Sequence, residues 1–569
     1  MFRLLQNRLG HYLLLIAVSA ALFLPGLGAP SLWDIDEGNN AECAQEMLNA
    51  DNWIVPTFNY ELRTDKPAML YWLQMAAYRQ IGINEFAARL PSALASILAV
   101  LLTYELGRRL YGRCTGILAG MILASAPAFC ASAHFANPDA LLNLFTLMTF
   151  AIFWRGYIRE GSSWFALAGI TTGLAMLTKG PVGLVLPAAA IGLFLCWSGQ
   201  LNRLRDRRLL WGLLTFLLVM GPWYGWVGND TRWEFLKGFF LKHNLDRFRT
   251  PMEGHGGPFF YYIAALFVGL LFWACFLGPA LWSAYLEIRK QRPDDLEKNS
   301  EIKGRWLRSW GNRFGNLNPS LRFLVCWIGV YIIFFSCSRT KLPNYILPAY
   351  PAIALFLAHF LNQWRRGEVE IPGWVLQVSF LLIGVIGVLI TVGLIMAGGW
   401  LGGATLLRGR HLPGLESWAF LGLVAPFGAT AVYWCTRLQR RNMAIGFLTG
   451  TPVLFAGLLA VGPVCAVDVY KAPRPLAAIV REQRTDPEIR IATYRFFQPS
   501  LVFYCGREVI QLSDEYQAIN FLNSPLPVYL FVPAEVWNDL RAKVQRPYGL
   551  LGRHRDLYRN WDVVLITNQ

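Results

Sequence analysis

The sequence predicts an α-helical polytopic membrane protein of about thirteen transmembrane helices, closed by a small C-terminal α/β domain. Three observations predict it. Of 569 residues, 55% are hydrophobic and only 15% charged, too little polar surface for a soluble chain of this length. Apolar windows near twenty residues recur from end to end. The 52 Lys and Arg cluster between alternate windows, as the positive-inside rule expects.

In chain order the windows fall at 11–29, 88–106, 114–132, 139–154, 163–178, 182–198, 209–228, 258–283, 322–337, 346–362, 373–397, 416–435 and 443–465. The first imitates a secretory signal, but the spans that follow, and Pro30 as a poor first residue for a mature chain, favour a retained helix. Arg3 and Arg8 precede it and place the N-terminus in the cytoplasm. On the same side fall Gly107-Arg108-Arg109, Arg203 to Arg208, the basic loop from Arg289 to Arg322, Arg365-Arg366 and Arg437 to Arg441. The net charge of +16 therefore reflects topology and anionic headgroups. With the basic residues spread over loops and no base-reading motif, nucleic acid is excluded as a partner.

An odd number of spans puts residues 467–569 outside, after a transmembrane domain of residues 1–466. Hydropathy falls there. Lys471 to Arg484 reads as an amphipathic helix, Ile489 to Tyr494, Val528 to Val532 and Val563 to Thr567 as strands, and Ala534 to Val544 as a helix. The ten cysteines are scattered, and only Cys43 and Cys505 lie clearly in outer segments, which makes no disulfide framework.

Chemistry gathers in the first outer loop, about 30–87. Trp33-Asp34-Ile35-Asp36-Glu37 follows the first span directly, with Glu42 and Glu46 at helical spacing beyond it. Acids opening a helix are also favoured by its dipole. Asp139, in Asn137-Pro138-Asp139, likewise reads either as a functional acid or as a helix opening. Cations on the outer side have no topogenic reason to be there: Lys66, Lys179, Arg247, Arg249, Arg339 and Lys341. Ionisable groups near membrane depth are costly unless paired or useful, and a lipid phosphate is their simplest common partner. Trp33, Tyr71, Trp72 and Tyr345 are candidates to line a sugar pocket or the membrane interface. Asp65, His243 and His255 offer carboxylate and imidazole ligands for a divalent ion, zinc or magnesium.

Taken together, these segments resemble the C-type superfamily of polytopic glycosyltransferases. The nearest likeness is to the branch that moves aminoarabinose from undecaprenyl phosphate to lipid A, related to protein O-mannosyltransferases. It is carried by Asp36-Glu37, Asn52 to Asn59, Asp65-Lys66-Pro67, Tyr71-Trp72-Leu73 and Asn84 to Ser92, then by Asn137-Pro138-Asp139, Thr178 to Pro181 and Lys341 to Pro348. The resemblance implies an inverting transfer from a polyprenyl-phosphate sugar to lipid A, another glycan or a protein, at the periplasmic face of a bacterial inner membrane. Asp36, Asp139 and Glu37 would be the catalytic acids. Lys66, Lys179, Arg247, Arg339, Lys341 and Tyr345 would grip the donor phosphate. No cofactor is required, and the chain is expected to be a monomer. Two departures from the family pattern stand out. Asn39 and Asn40 replace an arginine and a tyrosine, and Asp65 replaces the glutamate that helps bind a metal in the aminoarabinose branch. A lipid flippase or secondary transporter is the rival class. Against it, the chain shows no internal repeat and its charges crowd one face instead of the midplane.

Overall fold

The computed structural model describes residues 7–159, 164–251, 254–290, 317–400, 409, 411–482 and 488–569. Most of the basic loop expected between Arg289 and Arg322, together with Arg3, lies outside the described residues.

Each apolar window falls mainly on helix, although those at 114–132 and 258–283 are broken into shorter helices. Among the described residues nine helices are long and apolar enough to cross a membrane, and a tenth if a pair bent by 69° counts as one span. The first ten helices are α1 (Arg8–Phe23), α2 (Asp36–Asn49), α3 (Met69–Ile81), α4 (Glu85–Tyr111), α5 (Arg113–Ser125), α6 (Pro127–Ala133), α7 (Asp139–Ile158), α8 (Trp164–Lys179), α9 (Val182–Trp197) and α10 (Leu209–Asp230). Local chemistry sets their ends. Asn7 caps α1 through a 2.8 Å bond from the Gly10 amide, and Asn84 caps α4 through the Ala87 amide at 2.9 Å. The window at 11–29 shortens to α1, because Pro25 and Gly26, at φ 74°, break it.

Between α1 and α4 the outer loop folds as α2, a short hairpin of β1 (Thr57–Phe58) and β2 (Glu61–Leu62), and α3. The C-terminal sheet contains β3 (Arg490–Tyr494), β4 (Val509–Leu512), β5 (Val528–Pro533), β6 (Gly549–Arg555) and β7 (Asp562–Thr567) in the order β4-β3-β5-β7-β6. Strands β4, β3 and β5 are parallel, while β7 runs antiparallel to β5 and β6. The amphipathic helix is seen over Pro473–Glu482, and 483–487 lie outside the described residues. The helix after β5 stops at Leu540 and tightens into a 3₁₀ turn over Arg541–Lys543. Strands β4 and β6 have no counterpart in the sequence reading. Strand β4 buries only Val509 fully, and edge strand β6 is Gly-Leu-Leu-Gly-Arg-His-Arg, with the charges and glycines that protect exposed edges.

This domain does not hang from a linker. Ala41, Met47 and Tyr71 of the outer loop share one apolar core with Leu501, Tyr529 and Leu565. Helix α2 lies so close to the helix Pro499–Cys505 that a Cβ at Gly38 would collide with the Ser500 backbone.

Candidate functional site

A cavity of about 450 Å³ opens at the sheet-bearing end of the helix bundle. Its lining includes Asp36, Lys66, Asp139, Lys179, Arg247 and Tyr345. The same lining includes the apolar side chains of Phe240, Phe248, Phe334 and Val185. The cavity thus combines cations suited to negative charge with apolar surface suited to hydrocarbon.

Asp36 opens α2 and is exposed to the cavity. Its neighbours hold it there. Asp34 accepts hydrogen bonds from the Ser500 amide (2.7 Å) and from the Ser500 hydroxyl, and the Asp34 amide donates to the Tyr558 hydroxyl at 2.8 Å. Burial, only partly offset by Ser500, pushes the Asp34 carboxyl up to about 7. Glu37 takes a different part from the one expected. It is fully buried and accepts from Arg89 at 2.9 and 2.7 Å, from the Ala136 amide at 2.6 Å and from the Trp33 amide at 2.8 Å. Arg89 spends its remaining donors on the carbonyls of Leu27, Pro30 and Ser31. Glu37 is therefore the structural anchor of the loop, with no access to a substrate, because it is fully buried and both its oxygens are taken by these donors.

Lys66 stands in the Thr64-Asp65-Lys66-Pro67 turn that leads into α3. Burial lowers its ammonium, Asp36 raises it, and the positive charges of Lys179 and Arg247 lower it again, with the net result at about 8. The three cations feel one another although they come from three separate segments of the chain. Asp139, at the start of α7, is buried and pairs with Lys179, while Asn344 donates to its other oxygen at 2.7 Å. Lys179 is the last residue of α8, where a cation suits the dipole, and its Nζ sits 5.1 Å from the Tyr345 ring centroid. Gly180, at φ 79°, turns the chain sharply there. Arg247 follows a nine-residue π-helix, Gly238–Asp246, a geometry often found at functional sites. Its wider turn sends Phe239, Phe240 and His243 to the cavity together.

Three other expectations are corrected. Lys341 is buried and donates to the carbonyls of Ser336 and Ser338, both at 2.8 Å, and of Phe335 at 3.3 Å. It neutralises the carbonyl-rich end of helix Pro319–Cys337 and does not line the cavity. Arg339 is exposed and also lies off the cavity, its amide tied to the Phe248 carbonyl at 3.0 Å. Of the aromatic candidates only Tyr345 lines the cavity. Tyr71 is fully buried, Trp72 donates to the Trp53 carbonyl at 2.7 Å, and Trp33 carries the Lys471 ammonium 3.8 Å from its ring centroid.

The metal set comes together only in part. His243 Nε2 lies 2.9 Å from Asp65 Oδ1, and Arg63 approaches Asp65 Oδ2 at 3.5 Å. Burial pushes the Asp65 carboxyl up, but the His243 hydrogen bond and the charges of Arg63 and Lys66 outweigh it and hold it well below the usual carboxylate range. His255 is exposed and absent from the cavity lining. Its carbonyl accepts from the Lys341 amide at 2.8 Å, which fixes its turn against another segment. Among the described residues no three His, Cys, Asp or Glu side chains converge as a ligand set, so Asp65, His243 and His255 as placed do not fit a metal.

Sequence reasoning missed Asn344 as the second partner of Asp139, Arg89 as the partner of Glu37, and the aromatic wall from 239 to 248. The Lys-Leu-Pro-Asn-Tyr run did carry the signal for Asn344: an amide beside Tyr345 in a motif otherwise read for its charges.

The dolichyl-phosphate-mannose-protein mannosyltransferase family matches residues 65–226. A protein of Aquifex aeolicus (strain VF5) with no assigned function is 28% identical over 508 residues, 89% of this chain and 88% of that one. The undecaprenyl phosphate-alpha-4-amino-4-deoxy-L-arabinose arabinosyl transferase of Erwinia tasmaniensis is 29% identical over 359 residues, 61% of this chain and 59% of that one. The chain thus spans about three-fifths of the length of that relative. Among solved structures, ArnT from Cupriavidus metallidurans bound to undecaprenyl phosphate is similar in fold, with a TM-score of 0.76 at 20% identity and 99% of each chain covered.

Proposed function

We infer the reaction from the family to which this chain belongs, the C-type glycosyltransferases of the aminoarabinose-transferase and protein-mannosyltransferase kind. The chain is a multi-span membrane transferase that uses a polyprenyl-phosphate sugar. The proposed finer reading is transfer of a sugar of the aminoarabinose type from undecaprenyl phosphate to lipid A, at the periplasmic face of a bacterial inner membrane, with the N-terminus cytoplasmic and the sheet domain periplasmic. One observation carries it: Asp36, Lys66, Lys179 and Arg247 share a cavity that Val185, Phe240, Phe248 and Phe334 also line, which suits a phosphodiester with an attached prenyl chain.

In this reading the acceptor oxygen attacks the anomeric carbon from the Asp36 side while polyprenyl phosphate departs toward the cations. A single displacement inverts the configuration and needs no covalent enzyme intermediate. Asp36 accepts the proton of a hydroxyl acceptor, a role worth about 10²–10⁴ in rate, or orients an acceptor that is already an ionised phosphate. Lys66, Lys179 and Arg247 stabilise the negative charge that grows on the leaving phosphate. Asp139 is a positioning residue: with Asn344 it fixes Lys179 against Tyr345. No step is assigned to a metal.

The test is transfer by the purified protein, supplied with undecaprenyl phosphate-aminoarabinose and lipid A, read by mass spectrometry of the lipid A. Modified lipid A with wild type and none with Asp36→Asn is the expected result. Absence of product with wild type overturns the assigned substrates. Wild-type turnover in Asp36→Asn overturns the assigned catalytic acid.

A further inference from the structure

A second cavity, of about 420 Å³, lies at the other end of α7. Five arginines line it: Arg8 from the start of α1, Arg108 and Arg109 from the end of α4, and Arg155 and Arg159 from the end of α7. Trp154, on the same turn, forms part of its wall. Asp139 and Trp154 are fifteen residues apart on one helix, about 22 Å along its axis, so the two cavities occupy opposite ends of the bundle.

The charges here are unevenly matched. Glu105 alone serves Arg8 at 3.1 Å and Arg108 and Arg109 at 2.8 Å each, and it also accepts from the Tyr12 hydroxyl at 3.1 Å. Arg155 and Arg159 meet no carboxylate among the described residues. The Arg155 guanidinium lies 4.4 Å from the Trp164 ring centroid, which orients it without satisfying its N–H groups. Among the described residues, two buried donors at this site have no acceptor: Arg155 Nε and the indole N–H of Trp154, a side chain only 3% exposed. Topogenesis explains arginines at span ends. It does not explain a cavity among them, nor an indole N–H and a guanidinium N–H buried with nothing to donate to, since buried donors are nearly always paired.

We propose that this cavity binds the phosphate of an anionic membrane lipid headgroup, at the face opposite the transfer site. The chemistry is that of a phosphodiester. Guanidinium forks match its oxygens two at a time, and Trp154 and Arg155, whose N–H groups lack acceptors among the described residues, belong to the same lining. The position favours a lipid over a soluble anion. All five arginines sit at or beside the ends of apolar helices, where the positive-inside rule gathers cations beside lipid headgroups, and Ile158, exposed and part of the lining, offers an apolar surface for an acyl chain. The inference does not depend on the identity of the transferred sugar.

The experiment is native mass spectrometry of the full-length protein, released from detergent with added phosphatidylglycerol, phosphatidylcholine or inorganic pyrophosphate. Wild type should retain phosphatidylglycerol in preference to phosphatidylcholine. The double variant Arg155→Gln, Arg159→Gln should bind it about tenfold more weakly, with affinity for the prenyl donor unchanged as evidence of an intact fold. Trp154→Phe, which keeps the ring and removes the donor, should weaken retention in the same direction. Equal retention of both lipids, or phosphatidylglycerol binding unchanged in both variants, overturns the site. Binding of pyrophosphate with no preference for phosphatidylglycerol overturns the lipid assignment.

Discussion

Lys66 gives the sharpest test of the donor site, because its charge is placed to disappear within an accessible pH range. Burial and the neighbouring cations set its ammonium at about 8, below the ordinary lysine value. A lowered lysine carries its charge below that point and loses it above. In the free protein it is therefore about nine-tenths protonated at pH 7 and about one-tenth at pH 9. A polyprenyl phosphodiester stays ionised throughout, so only the protein titrates. If the bound phosphate needs the ammonium, donor Kd should rise about tenfold between pH 7 and 9, equivalent to about 1.4 kcal/mol. Lys66→Arg should bind with little pH dependence over that interval, since guanidinium remains charged. Lys66→Ala should be weaker at every pH, by about 1.5–3 kcal/mol, and equally flat. The assay is equilibrium binding of a fluorescent polyprenyl phosphodiester to detergent-solubilised protein at fixed ionic strength, because screening would otherwise vary. A flat wild-type profile, or the same slope in Lys66→Arg, would remove Lys66 from the phosphate contact.

Three further outcomes follow from the geometry. Arg89→Met leaves Glu37 buried without its partner and should cost about 3–5 kcal/mol, read as a lowered melting temperature; an unchanged melt would show that the Arg89–Glu37 pair does not anchor the loop. Ser500→Ala removes one hydrogen bond from Asp34, worth about 1 kcal/mol, and should lower kcat severalfold while leaving donor KM unchanged; loss in KM alone would mean that the sheet domain acts on donor binding and not on Asp36. Lys341→Met should destabilise the protein by about 1–2 kcal/mol, with donor affinity within about twofold of wild type, and a tenfold loss of donor affinity would restore it to the phosphate site.

Periodicity and charge were enough to locate the helices, because a segment that crosses hydrocarbon must be long, apolar and internally hydrogen-bonded. The same rule made outward-facing cations conspicuous, and Lys66, Lys179 and Arg247 do meet in one cavity. What stayed hidden was direction. Asp36 and Glu37 are neighbours in sequence, yet the roughly 100° between successive helical residues leaves the first exposed and the second buried on Arg89. Lys341 looked like an outward cation of the same kind, but a lysine just past a helix end can fold back on its carbonyls, and sequence gives no sign of which it will do. Strand β6 alternates too weakly to be read, because an edge strand with one neighbour needs little apolar surface. The aromatic wall depends on a π-helical stretch whose longer period no 3.6-residue pattern would reveal.

The apolar core shared by α2, α3 and the C-terminal sheet has a consequence for how such enzymes can be recombined. The segment bearing the acid and the domain a few hundred residues later form one folding unit split by the membrane bundle. A chimera that exchanges either alone mismatches the packing at Gly38 and Ser500 and the Asp34 clamp together. Exchanges of either segment should therefore be made as a matched pair, with both taken from the same parent.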